Sequence, residues 1–305
     1  MGGAVTGDWL LHGAVMAVSF FNTLLLLWLG LTVLLNAERR TWGIWLAGGG
    51  LLAGAAFLAI HSAIYGQGLA YVGWSMNFWW HAGWLLVVAL PFSWYLVILW
   101  YAGFWEEQGT ALHHRHQPWL LMAAFWALGL CNLLLFANPF PSYTQVIQLR
   151  LANTPSIGGI PLLGVLYPLY IVICVGLSLD VLWQPGPTAR MMGDLARRRA
   201  HPWLVATSLT LLAVSGLVAW VVIWTLLNAR QRALVGVYVS MERSLAWFDL
   251  STDALIGIAI LFLGQAIVSY EVFTSQTLPR RGLRRHWQSI VLLAAACGLV
   301  WWEPA

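Results

Sequence analysis

The sequence contains no lysine: all 15 of its Lys-plus-Arg residues are arginines. A retinal chromophore needs a lysine amine for its Schiff base, so a rhodopsin is excluded whatever the helix count. Charge of either sign is scarce. Only 9% of the 305 residues are charged and 60% are hydrophobic, against about 25% charged in a soluble globular chain, so a water-facing surface cannot be built from this composition. Cysteine is sparse too. Cys131, Cys174 and Cys297 stand far apart inside apolar runs, make no CxxC pair for zinc or redox exchange, and read as buried, inert thiols. There is no Gly-rich phosphate loop, no Ser-His-Asp or Cys-His signature and no histidine followed by an acidic residue, so catalysis has no candidate residue. The net charge of +4 comes from short arginine clusters between apolar runs rather than a basic stripe, which argues against a nucleic-acid partner.

What the chain does have is long apolar runs from end to end, each able to cross a hydrocarbon core about 30 Å thick. They fall at residues 9–35, 42–66, 78–104, 118–138, 160–184, 202–228, 247–273 and 286–303. The expected fold is all-α: a polytopic transmembrane bundle of about eight helices, residues 1–305 forming one domain with the lipid bilayer as its solvent. No basic residue precedes the first run, which argues against a cleaved signal peptide. Pro91 and Pro168 fall inside helices three and five and predict kinks. Arg39, Arg40, Arg115, Arg190, Arg197, Arg198, Arg199, Arg280, Arg281, Arg284 and Arg285 lie in the odd connections, against only Arg150, Arg230, Arg232 and Arg243 in the even ones. Positive charge favours the cytoplasm, so the amino terminus is expected outside. The 21 tryptophans, Trp79, Trp80 and Trp105 among them, read as interface anchors. Residues 139–159 read as an irregular outer cap and residues 229–246 as a helix lying at the interface. The chain ends directly after the last run, as a compact eight-helix protein or a fragment of a longer one would.

Polar side chains inside a membrane are expensive and therefore informative. Four pairs spaced i, i+4 share helix faces near the outer boundary: Asp8 and His12, His61 and Tyr65, Asn77 and His81, Asp249 and Asp253. If those faces turn inward they form an external pocket for a small ligand. His12, His61 and His81 are the candidate ligands of a metal ion there, since imidazole suits zinc and copper; the alternative is a structural role in which the same residues hydrogen-bond one another and water. His61 and His81 could also clamp a haem between helices two and three. His113, His114, Arg115 and His116, following Glu106 and Glu107, read as a solvated loop. Asp180 and Glu271 lie at inner helix ends, within reach of headgroups or neighbouring arginines.

Two stretches, LWLGLTVLLNAERRTWG at residues 27–43 and AIVSYEVFTSQTLPRRGLRRHW at residues 266–287, resemble the multi-helix membrane sensor regions that precede cytoplasmic GAF and histidine-kinase modules in bacterial signalling proteins. The resemblance covers under a seventh of the chain. It implies a signal-input module in the bacterial cell membrane that passes a helix movement to a cytoplasmic transmitter domain or partner, with no catalytic residue in this chain. Two other readings stay open: a metal- or haem-dependent redox protein or quinol-handling subunit, and a transporter using Pro91, Pro168 and Gly48 to Gly50 as helix breaks.

Overall fold

The computed structural model describes residues 2–37, 41–67, 73–106, 109–136, 142, 156–157, 160–185, 194–231, 237–270 and 280–302. Eight helices account for nearly all of them: α1 (Gly2–Asn36), α2 (Trp42–Gly66), α3 (Trp74–Tyr101), α4 (Ala111–Phe136), α5 (Leu162–Trp183), α6 (Asp194–Gln231), α7 (Val237–Tyr270) and α8 (Arg280–Trp302). A two-residue antiparallel pairing, β1 (Ser156–Ile157) with β2 (Ile160–Pro161), leads into α5. With Ser142, the β1 strand is all that the described residues include of the expected cap over 139–159. Helices dominate because lipid offers the backbone no hydrogen-bond partner, so each segment must satisfy its own.

Seven helices, α1 to α7, are long and apolar enough to cross a membrane. Over the described residues α8 does not reach that standard, so the eighth expected span stands as a helix without being shown to cross. Three sequence-based boundaries move. Helix α4 begins at Ala111, upstream of Pro118, which lies within it. Helix α6 begins at Asp194 and carries Arg197 to Arg199 in its first turns. The separate interfacial helix over 229–246 is not formed: residues up to Gln231 extend α6 and those from Val237 belong to α7. Pro91 and Pro168 lie inside α3 and α5 as expected.

Six helices pack in a ring in the order α1, α2, α3, α5, α6, α7 and back to α1. Helix α4 lies outside it against α3 and α5, and α8 lies outside it against α1 and α7. Lipid chains are as apolar as leucine, so close backbone approach replaces hydrophobic drive between helices. At the α1/α2 crossing, a Cβ on Gly30 would lie 3.2 Å from the Gly48 carbonyl oxygen, and one on Gly48 would lie 3.3 Å from that of Gly30. Leu25, Leu29 and Val33 of α1, Ile44 and Leu58 of α2, Val88 and Ile98 of α3 and Ala266 and Ile267 of α7 complete the buried contacts. The outward faces keep large apolar side chains exposed, among them Leu121, Phe125 and Leu128 of α4 and Leu292, Leu293 and Leu299 of α8, as a lipid-facing surface requires.

Candidate functional site

The ring surrounds a partly open axial cavity of about 290 Å³. Every ring helix contributes to its wall, represented by Leu26, Leu58, Pro91, Ile171, Leu211 and Ile256; α4 and α8 contribute nothing. The wall is almost wholly apolar. Of its serines and threonines, Ser93, Thr207 and Ser215 donate to the carbonyls of Ala89, Trp203 and Leu211, four residues earlier on their own helices, which occupies their O–H donors. Trp94 reaches across the ring and donates its indole N–H to Ser208 Oγ at 3.2 Å. The remaining hydroxyl residues of the wall are Tyr167 and Thr252, the latter adjoining Asp253.

Polar residues gather at the two ends of the ring. At the end where α1 begins, the predicted pairs are partly brought together. Helical register carries the cavity stripe of α2, Phe57 and Leu58, on to His61, and that of α7, Ile256 and Thr252, back to Asp249. His61 Nε2 and Asp249 Oδ1 lie 4.0 Å apart across α2 and α7, beyond hydrogen-bond length. The His12 and Tyr65 rings meet at 5.0 Å and those of His61 and Tyr65 at 6.3 Å. Asp253 is only 3% exposed, and its Oδ2 has no hydrogen-bond partner. Asp8 lies in α1, but its side chain is outside the described residues.

The metal site expected of His12, His61 and His81 does not assemble: among the described residues, no three His, Cys, Asp or Glu side chains are grouped to hold a metal ion. On α3, His81 Nδ1–H donates to the Asn77 carbonyl one turn earlier at 2.7 Å. Two buried features at this end have no counterpart in the paired spacings. Asn22, fully buried in α1, donates from Nδ2 to the Asp253 carbonyl at 2.8 Å, while its Oδ1 has no partner. Ser19 and Ser62 share a 2.8 Å hydrogen bond between α1 and α2.

The other end overturns the reading of residues 113–116 as a solvated loop. Thr110 Oγ1 accepts the His113 N–H at 3.2 Å and caps α4, so the histidines form its first turns and His116 is completely buried. Tyr95 O–H donates to His116 Nδ1 at 3.0 Å, and Nε2–H donates to Asp180 Oδ2 at 3.0 Å. Arg115 Nε reaches the same carboxylate at 3.3 Å, and its guanidinium also donates to Gln184. His201 Nε2–H donates to the Leu182 carbonyl at 2.9 Å. His201 thereby satisfies a carbonyl that the end of α5 leaves without a helical partner. Asp180 meets its neighbouring arginine, as its position at a helix end implied; Glu271 lies outside the described residues. Cys174 is buried, Cys131 and Cys297 are half-buried, and all three are free thiols.

No family model, curated protein or solved structure matches this chain.

Proposed function

We propose that this chain is the membrane-embedded input module of a bacterial signalling protein. A small ligand arriving from outside the cell occupies the axial cavity beneath His61 and Asp249 and shifts the balance between two helix arrangements. A cytoplasmic transmitter domain or partner reads that shift. The observation carrying this reading is that one cavity touches six helices. A body lodged there contacts every ring element at once, so its presence bears directly on their spacing. The polar end gives such a ligand an entrance with hydrogen-bonding groups, whereas the middle offers hydrocarbon.

The test is saturable ligand binding to the chain in phosphatidylcholine nanodiscs, followed by tryptophan fluorescence, since Trp94 borders the cavity. Filling the space with Ile256→Trp is expected to abolish the saturable change while leaving the helical circular dichroism intact. Binding that survives the substitution would remove the cavity from the scheme. Net movement of the same ligand across proteoliposomes would make the chain a transporter instead.

A further inference from the structure

We infer that the ligand is a cationic amphiphile, with a short apolar body in the axial cavity and an ammonium-type head held at Asp249 and Asp253. This assignment rests on the cavity being the ligand site and adds the chemical class of what enters it.

The wall sets the body. Ser93, Thr207 and Ser215 are bonded to their own helices, and the rest is hydrocarbon and aromatic surface save for the hydroxyls of Tyr167 and Thr252. A volume of about 290 Å³ lies at the lower limit of small-molecule pockets, about 300 Å³, which favours a single short chain or ring over a bulky lipid.

The end of the cavity sets the head. Two of the buried atoms without hydrogen-bond partners near this end can only accept, Asp253 Oδ2 on α7 and Asn22 Oδ1 on α1, and His61 Nδ1 on α2 is a third atom without a partner. A buried acceptor left without a donor is costly, and more so when it is charged. Asp249 Oδ1 stands 4.0 Å from His61 Nε2, too far for a direct bond. A head that carries positive charge and several donors suits the two carboxyl groups of α7, and an ammonium group brings three N–H bonds and no acceptor. The bases at this end are His12, His61 and His81, with the exposed Arg243 further toward the start of α7. A carboxylate or phosphate head would instead be placed beside two carboxyl groups, one of them almost wholly shielded from solvent.

Three eight-carbon probes that differ only in head group, octylammonium, octanoate and octanol, would be titrated against the chain in phosphatidylcholine nanodiscs, with melting temperature and tryptophan fluorescence as readouts. The expected result is saturable binding of octylammonium about ten-fold or more tighter than octanoate, the difference a charge-assisted contact makes. Asp253→Asn and Asp249→Asn are each expected to erase that preference while octanol still binds, which shows that the ring is intact. Equal binding of the three probes, or a preference for octanoate, overturns the charge assignment and leaves the cavity as a ligand site. Failure of all three to bind saturably overturns both.

Discussion

Tyr95, His116 and Asp180 lie on three different helices yet form one hydrogen-bonded chain. Replacing Tyr95 with phenylalanine removes the donor and leaves the buried His116 Nδ1 without a partner, an expected loss of about 1–3 kcal/mol. A lowered melting temperature in detergent, with unchanged helical content, is the outcome to look for; an unaltered melt would mean the imidazole re-forms its bond elsewhere. This hydrogen-bonded chain was hard to read from sequence because Pro118 marks a plausible helix start, and starting there places the histidines in water. Thr110, a capping residue three positions ahead of His113, was the signal for the earlier start. Asn22 was overlooked for a different reason. A search for polar pairs at i, i+4 passes over a single amide in a run of leucines, although one buried amide in lipid must also find a partner. Of the paired residues, His61 comes within 4.0 Å of Asp249, and the Tyr65 ring lies beside those of His12 and His61.

At the scale of elements, the helices were legible because the hydrocarbon thickness fixes how long an apolar run must be. Their ends were less so. Hydropathy marks where lipid gives way to water, whereas backbone hydrogen bonding carries α6 through Gln231 and starts α7 at Val237, among arginines and glutamate. The α1/α2 pair depends on its glycines. Gly48→Val would drive a branched side chain into Leu34 and the Gly30 carbonyl, and overpacking of this kind costs about 1–3 kcal/mol. Gly49, where an added Cβ would meet nothing within 4 Å, supplies the control: Gly49→Val is expected to melt with the parent chain. If both variants melt alike, the crossing does not rely on small residues.

For the molecule as a whole, the arginine distribution predicts an external amino terminus. A tag placed at Met1 is expected to react with membrane-impermeant reagents on intact cells; protection of the tag until the cells are opened would invert the two ends of the ring. The order of helices within the ring was not legible. Lipid and protein interior are equally apolar, so a membrane helix gives little sign of which face turns inward, and the shared face of Asp249 and Asp253 fixed their spacing but not their direction. One packing feature bears on how the ends of the ring communicate with the rest. Helix α8 is braced on two sides: Gly298 lies against the Ala17 carbonyl of α1, while Trp287 packs on Gly264 of α7 and on Trp28 of α1, the two indoles 5.6 Å apart. Since α1 carries His12 and Asn22 and α7 carries Asp249 and Asp253, a wedge that pries those two staves apart leaves α8 no neutral seat. Any change in the spacing of α1 and α7 is thus a change in the seat of α8.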